Sequence, residues 1–277
     1  MSNLADICTQ VRRDIVRMVH GVQSGHPGGS LGCTEFFVAL YFKVMKHDPK
    51  FNMNAANEDV FILSNGHISP VFYSTLARSG YFPVAELGTF RKLNTRLQGH
   101  PATHEHLPGV RIASGSLGQG MSVAVGVAIG KKQNGDSNTV FSLHGDGELQ
   151  EGQNWEAIMS AAHLKVDNLI ATIDVNGQQI DGPTSTVMNI ESLEAKFLAF
   201  GWDVMHMEGN DIDAVVAGLE RAKAKLGNGK PVCILMKTAM GKGISFMEGT
   251  HEWHGIAPND AQLAQALTEL PETIGDY

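Results

Sequence analysis

Five short apolar runs, separated by longer stretches of helical spacing, constrain the fold of this 277-residue chain more than any other feature. The runs occupy residues 60–63, 139–143, 169–175, 202–207 and 232–236. Helices are expected near residues 4–20, 35–46, 68–79, 85–93, 119–132, 151–164, 191–200 and 211–226. Strands that are apolar on both faces and alternate with helices are typical of a parallel sheet covered on both sides. We therefore expect one α/β domain over residues 1–277, with helices on both faces of a parallel sheet.

Charge and cysteine usage exclude several classes of protein. The net charge is −8 and no block of Lys and Arg is present, which argues against nucleic acid or an anionic membrane as a partner. No apolar run is long enough to span a membrane, and the mixed polar and charged N-terminus is not typical of a signal peptide. The three cysteines form no CxxC pair, so neither a disulfide framework nor a zinc ribbon is expected. A cytoplasmic location is the expectation.

Four Gly-rich segments stand at or beside the predicted carboxyl ends of strands, where open α/β sheets bind ligands. They are SGHPGGSLG (24–32), LSNGHISP (63–70), IASGSLGQG (112–120) and HGDGELQEG (144–152). Glycine lets a loop approach a ligand closely, and amides at the start of the following helix can bind phosphate. We expect these four loops to form a ligand site.

An acid and an amide are spaced to meet at this site. Asp146 follows one predicted strand, and Asn176 follows the next strand about one strand–helix–strand unit later. The alternative is a turn Asp and a turn Asn that never meet, and the spacing alone does not decide between the two. The strand context favours neighbouring oxygen ligands, which suit Mg²⁺ or Ca²⁺ better than zinc. Since Mg²⁺ usually shares its coordination with phosphate oxygens, a diphosphate is the natural third component.

The GDG…NG pair resembles the thiamine diphosphate motif, and the surrounding sequence is similar to that of transketolases. The matching segments are SGHPGGSLG, LSNGH, LNTRLQGHP, SGSLGQG, GDGELQEGQNWEA, DVNGQQIDG and KTAMGKG with WHG, in family order from about residue 20 to 256. The resemblance implies the diphosphate-binding domain of the thiamine diphosphate-binding fold. It also implies thiamine diphosphate with Mg²⁺ (or Ca²⁺) as cofactors.

The resemblance assigns roles to individual residues. Asp146 and Asn176 are expected to bind the cation through their side chains, and Gln178 through its backbone carbonyl. Residues expected to approach the cofactor are Gly115, Ser116, Leu117 and Gly147, with His67 and His254 on the diphosphate side. His26 and His100 are expected to meet substrate hydroxyls, and we also predict a catalytic role for His254, because imidazole transfers protons near neutral pH. The alternative for any single histidine in a Gly-rich loop is a turn residue bonded to backbone.

Two acids at the start of the helix after the GDG have two interpretations. Glu151 and Glu156 could simply be exposed carboxylates placed favourably near a helix N-terminus. The resemblance instead places both in a buried glutamate network at a subunit interface, where Glu151 touches the glutamate that activates the cofactor. Like-charged buried carboxylates share protons, so such a network is suited to proton relay.

The resemblance also implies a missing part. A full transketolase continues into a pyrimidine-binding domain and a C-terminal domain, whereas this chain stops at Tyr277. We expect the N-terminal subunit of a split transketolase, active only with a separate C-terminal subunit, as a heterotetramer with two copies of each. The implied reaction is transfer of a two-carbon ketol unit from a ketose to an aldose, with pentose phosphates or specialised sugars as substrates.

Three alternatives remain open. One is the thiamine diphosphate subunit of a 2-oxo acid or acetoin dehydrogenase, although the GHP and WHG histidines have no role there. A second is a fragment similar to 1-deoxyxylulose-phosphate synthase, which shares the SGHPGG start but not the SGSLGQG loop. The third is a non-catalytic subunit that binds the cofactor and regulates a partner, which would have no need of the histidine set.

Overall fold

The computed structural model describes residues 3–277 and contains a five-stranded parallel sheet with helices on both faces. The strands are β1 (Val60–Leu63), β2 (Val140–Gly145), β3 (Leu169–Val175), β4 (Gln178–Gln179), β5 (Gly182–Pro183), β6 (Asp203–Glu208) and β7 (Val232–Lys237). β4 and β5 form a separate antiparallel pair, and the other five form the main sheet. The predicted α/β class and the five predicted strands are confirmed.

The main sheet has the order β1-β2-β3-β7-β6, and every neighbouring pair is parallel. β2 runs beside β3 from Val140 opposite Leu169 to Gly145 opposite Asp174. All carboxyl ends therefore lie at one edge of the sheet. This register places the residues that follow β2 and β3 next to each other, as the spacing of Asp146 and Asn176 requires.

Ten helices surround the sheet in the described part of the chain. They are α1 (Leu4–Val22), α2 (Pro27–Gly32), α3 (Thr34–Ala39), α4 (Ser69–Arg78), α5 (Gly120–Gln133), α6 (Gly152–His163), α7 (Thr184–Val187), α8 (Leu193–Ala199), α9 (Ile212–Lys223) and α10 (Asp260–Glu269). None of them is both long and apolar enough to cross a membrane.

The sheet separates two hydrophobic cores, because alternate residues of a strand point to opposite faces. On β2, Phe141 and Leu143 belong to one core and Val140 belongs to the other. Helices α1, α3, α4 and α9 cover the first core, whereas α5, α6 and α8 cover the second. The central strands are buried on both faces, and their carboxyl ends position the loops that follow them.

Two local predictions were wrong, and a third was confirmed only in part. The Gly-rich segment 24–32, expected as a loop, contains the short helix α2, which begins with Pro27 at its first turn. Its glycines fit because the helix packs closely: an ideal Cβ on Gly28 would lie 2.6 Å from Met240 Cγ. The helix expected near 85–93 is only a 3₁₀ turn, Val84–Thr89, and the helix expected at 35–46 changes to a π-helical turn at Leu40–Val44.

Candidate active site

A cavity of about 330 Å³ opens at the carboxyl edge of the sheet. The loops that follow β1, β2 and β3 line it, together with the start of α2 and the segment before α10. Most of the predicted site residues lie in its wall: His26, His67, Gly115, Leu117, Asp146, Gly147, Glu151, Asn176, Gln178 and His254. Residues from six separate segments of the sequence therefore meet in one place.

The oxygen-rich side of the cavity is built by Asp146 and the turn after β3. One Asp146 carboxylate oxygen accepts the Gly177 N–H at 2.7 Å, and the other accepts the Gly147 N–H at 2.8 Å. Asn176 Oδ1 accepts the Gln178 N–H at 2.9 Å. An ideal Cβ on Gly147 would lie 3.9 Å from the Gln178 carbonyl oxygen, so that carbonyl also lies beside the GDG turn. The residues that follow β2 and β3 are therefore in direct contact, as predicted.

A second carboxylate, Asp174, lies beneath this turn and is 2% exposed. It accepts hydrogen bonds from Asn176 Nδ2 at 2.7 Å and from Thr238 Oγ1 at 2.5 Å. Because its amide nitrogen is bonded to Asp174, Asn176 turns its amide oxygen away from that carboxylate. Asp174, the last residue but one of β3, thus orients Asn176, which directly follows the strand.

These residues fit a hard divalent cation. Burial raises the pKa of Asp146 to about 7, and repulsion from the Asp174 carboxylate adds to the rise. A bound cation removes this penalty, since it compensates buried negative charge. A carboxylate, an amide oxygen and a backbone carbonyl are the donors that Mg²⁺ and Ca²⁺ use. Over residues 3–277 no group of three or more His, Cys, Asp or Glu is placed to hold a metal ion. The candidate ligands here are hard oxygen donors, which suit Mg²⁺ or Ca²⁺ better than zinc.

A cluster of histidines lies at the opposite side of the cavity: His26, His67 and His254 line it, and His100 lies next to His26 behind them. The ring of His26 lies 5.2 Å from that of His67, 5.6 Å from that of His254 and 6.1 Å from that of His100, measured between centroids. His67 and His254 stack with their centroids 5.0 Å apart. Buried Nδ1 atoms of His26 and His254 have no hydrogen-bond partner within the described chain. Both nitrogens therefore have unused hydrogen-bonding capacity.

Burial keeps these imidazoles neutral. Burial, followed by repulsion from His254, lowers the pKa of His26 to about 4. The pKa of His67 lies well below its ordinary value for the same reason, and burial also lowers the pKa values of His100 and His254. A neutral imidazole has one donor and one acceptor nitrogen. The cluster can therefore donate hydrogen bonds to hydroxyl or phosphate oxygens and accept them from hydroxyl groups, while its rings stay neutral at pH 7.

Close glycine contacts hold the histidine loops together. An ideal Cβ on Gly66 would lie 2.4 Å from Ser114 Oγ and 2.7 Å from the Gly115 amide nitrogen. Gly115 has φ +123°, a conformation that L side chains rarely adopt, and its missing Cβ would lie 2.7 Å from His100 Cδ2. The Gly-rich character of these loops thus reflects direct contact between them.

Three predicted residues lie outside the cavity wall: Ser116, His100 and Glu156. Ser116 is exposed, and His100 lies behind Gly115, next to His26. Glu151 is exposed at the mouth of the cavity, and Glu156 is exposed on the following helix. Within this chain the two glutamates are therefore surface carboxylates, and the glutamate network stays a prediction about an assembly.

The sequence interpretation missed several residues of the wall. Glu148, Ile180 and Met240 line the cavity, as does Asp174. Asp174 carried a usable signal, because it is only two residues before Asn176. Ile180 is the single apolar side chain in the polar run NGQQIDG and is 63% exposed. Glu148 carried no signal in the sequence, since its partners come from distant segments.

Comparisons with known proteins agree with this geometry. The family model "Transketolase, thiamine diphosphate binding domain" matches residues 5–271. The chain therefore belongs to the transketolase family and contains its thiamine diphosphate binding domain. These matches do not favour a dehydrogenase, a 1-deoxyxylulose-phosphate synthase or a regulatory protein.

Several relatives indicate which kind of transketolase chain this is. The chain is 41% identical over 263 residues to an apulose-4-phosphate transketolase subunit of Actinobacillus succinogenes, covering 95% of this chain and 94% of that protein. It is 42% identical over 246 residues to the 6-deoxy-6-sulfo-D-fructose transketolase subunit SqwG of Clostridium sp., covering 89% and 88%. The transketolase structure from Campylobacter jejuni superposes with a TM-score of 0.89 at 35% identity, covering 98% of this chain and 43% of that one. The chain is thus a transketolase subunit of the N-terminal type.

Proposed function

We propose that this chain acts with a separate C-terminal subunit to transfer a two-carbon ketol unit from a ketose phosphate to an aldose phosphate. The observation that carries the proposal is the cavity itself, which joins the Asp146–Asn176 oxygen cluster to three neutral histidines, His26, His67 and His254. Its volume of about 330 Å³ lies at the lower end of the range for cofactor sites, about 300–1,000 Å³.

The cation and the diphosphate have separate binding groups. Mg²⁺ (or Ca²⁺) would be held by the Asp146 carboxylate, the Asn176 amide oxygen and the Gln178 carbonyl. His67 and His254 would donate hydrogen bonds to the diphosphate, and Gly115, Leu117 and Gly147 would let the backbone approach it. When bound, thiamine diphosphate supplies the electron sink for cleavage of the ketose C–C bond.

Substrate handling falls to His26 and His100. Their rings lie 6.1 Å apart, which lets both reach hydroxyl groups of one sugar chain. Because burial holds their pKa values low, both rings are neutral at pH 7, and each has an unprotonated nitrogen that can accept a hydrogen bond from a sugar hydroxyl. His26 and His100 would thus bind and orient hydroxyl groups of the same sugar.

The partner subunit would complete the site. Three relatives matched over most of their length are named as subunits, whereas the single-chain transketolase of Campylobacter jejuni is more than twice as long as the matched region. Glu151 is exposed at the cavity mouth, where a second chain would bury it, and Glu156 follows on the same helix. We propose a heterotetramer with two copies of each subunit. Three free, buried cysteines agree with a cytoplasmic location.

Activity of the combined chains tests this function. The chain is co-expressed with the C-terminal subunit of a split transketolase. The complex is assayed with thiamine diphosphate, Mg²⁺, xylulose 5-phosphate and ribose 5-phosphate, and apulose 4-phosphate and 6-deoxy-6-sulfo-D-fructose serve as further donors. We expect turnover only with both subunits present. Full activity from this chain alone, or none with any donor despite bound cofactor, contradicts the proposal.

The cation site has its own test. Asp146→Ala is expected to abolish Mg²⁺-dependent binding of thiamine diphosphate, measured by calorimetry, without changing the circular dichroism spectrum. Asp213→Ala, which alters an exposed carboxylate on α9, is the matched control. Unchanged cofactor affinity in Asp146→Ala means that the cation binds elsewhere.

A further inference from the structure

Glu148 is a buried carboxylate on which three loops of the cavity converge. It is 2% exposed and lies in the turn between β2 and α6. Its Oε1 accepts the Ser64 hydroxyl and the Gly118 N–H, the latter at 2.9 Å, and its Oε2 accepts the Gly145 N–H at 3.1 Å. Ser64 Oγ in turn accepts the Gly120 N–H at 3.2 Å. One side chain, which belongs to the loop after β2, thus bonds to the last residue of β2 and to the loops after β1 and before α5.

Each of these loops carries a residue that faces the cavity. His67 is three residues after Ser64, Leu117 directly precedes Gly118, and Asp146 directly follows Gly145. The relative positions of these residues therefore depend on Glu148. Within the described residues, the backbones of these three loops form no hydrogen bonds with one another that could replace those of Glu148. The nearest backbone contact is the ladder between β1 and β2, which ends at Ser64.

We propose that Glu148 is a positioning residue, which holds the three cofactor-facing loops in their binding geometry before any ligand is present. The expected effect of Glu148 on cofactor binding rests on the proposed function. The expected effect of Glu148 on the positions of the loops does not, because it concerns hydrogen bonds within this chain.

The chemistry of the site requires a carboxylate. Three donors arrive from three directions, and an ionised carboxylate offers two oxygens with about four acceptor positions and no donor. A glutamine at this position would turn an NH₂ group toward at least one donor, so that Gly118 or Gly145 would lose its acceptor. A buried N–H without a partner is costly, and the loop that carries it would move to reach water. An aspartate is one methylene too short to reach the distant loops.

A local measurement on the full chain without ligand tests the effect on the loops. Hydrogen–deuterium exchange is compared for wild type, Glu148→Gln and the control Glu220→Gln, which alters an exposed carboxylate on α9. We expect exchange at residues 63–70, 112–120 and 144–152 to be about tenfold faster in Glu148→Gln. Exchange in β3 and β7 should stay unchanged, and the control should match wild type. Wild-type exchange in the three segments, or a change in only one of them, overturns the proposal.

Cofactor dependence in the two-subunit complex tests the effect on cofactor binding. Glu148→Gln should weaken the affinity for thiamine diphosphate about tenfold, while kcat at saturating cofactor stays close to wild type. A loss of kcat that saturating cofactor does not restore overturns the positioning role. If Glu148→Gln does not fold, Ser64→Ala replaces it, with faster exchange expected at 63–70 and 112–120. If wild type does not bind the cofactor, the proposed function fails, but the exchange result still decides the role of Glu148.

Discussion

Adding one methyl group at Gly66 should separate two loops of the cavity. The Cβ of Gly66→Ala would lie 2.4 Å from Ser114 Oγ, 2.7 Å from the Ser114 carbonyl carbon and 2.7 Å from the Gly115 nitrogen. The hydroxyl can rotate away, but the two backbone atoms cannot. Ordinary contact distance is 3.4–4 Å, so the loops must move apart by at least about 0.7 Å. The φ angle of Gly66 is not positive, so backbone strain does not contribute.

The size of the effect follows from overpacking. Forcing extra atoms into a well-packed region costs about 1–3 kcal/mol. For a chain of this length about 1 kcal/mol corresponds to about 2 °C in Tm, so Gly66→Ala should lower Tm by about 2–6 °C. His67 follows Gly66 directly and would move with its loop. We therefore also expect weaker binding of thiamine diphosphate.

The assay is thermal unfolding without ligand, followed by cofactor titration of the two-subunit complex. Gly126→Ala is the matched control, because a Cβ there meets no atom within 4 Å and the residue lies in the middle of α5. Replacing a helical glycine with alanine should stabilise the chain by up to about 1 kcal/mol. The two Gly→Ala changes should thus shift Tm in opposite directions. A Gly66→Ala protein as stable as wild type, with unchanged cofactor affinity, would refute the reasoning.

Further predictions concern a buried ion pair, the histidine cluster and the cation. Asp14 is fully buried and accepts two hydrogen bonds from Arg78, at 2.5 and 2.8 Å, and one from Ser74. Asp14→Asn should lower the free energy of unfolding in urea by about 3–5 kcal/mol, and a loss below 1 kcal/mol would contradict this. The pKa of His26 is about 4 when folded and about 6.5 when unfolded, so the unfolded state binds more protons between these values and stability falls as pH falls through this window. Partial exposure limits the effect to about 1–2 kcal/mol, and unfolding at pH 7 and pH 5 should show a flatter dependence for His26→Phe than for wild type. Equal slopes would contradict the assignment. Removing divalent cations with a chelator should weaken thiamine diphosphate binding reversibly, and binding that persists without a cation would exclude a role for Asp146 as a ligand.

The fold was predictable because strands that are buried on both faces appear in a sequence as short apolar runs. Strands β2 and β3 are mainly apolar and end next to polar residues, so the parallel sheet follows from the pattern, and the strand context, together with the spacing, favours the meeting of Asp146 with Asn176. Helix α2 was not predictable in this way, because its glycines have poor helix propensity and are stabilised by contacts with the segment around Met240. Tertiary packing there outweighs local preference.

The supporting contacts of the site could be predicted only in part. Asp174 is only two residues from Asn176, so their closeness along the chain could have indicated that the two side chains meet. Glu148 bonds to Ser64, 84 positions earlier, and to Gly118, 30 positions earlier. No periodicity in one sequence joins segments at such separations. The exposure of Glu156 was open in the sequence, because a helix surface that contacts another chain resembles one that contacts water.

The strand order has a consequence for biosynthesis. β7 lies between β3 and β6, although it is the last of these strands along the chain. While the ribosome adds residues 176 to 231, β3 has one unpaired edge and β6 has no strand to join. An unpaired edge of this kind is prone to bind the edge of another chain. The nascent protein is therefore prone to aggregation in this interval, and the ligand cavity is complete only after His254, the last residue of its wall, has left the exit tunnel.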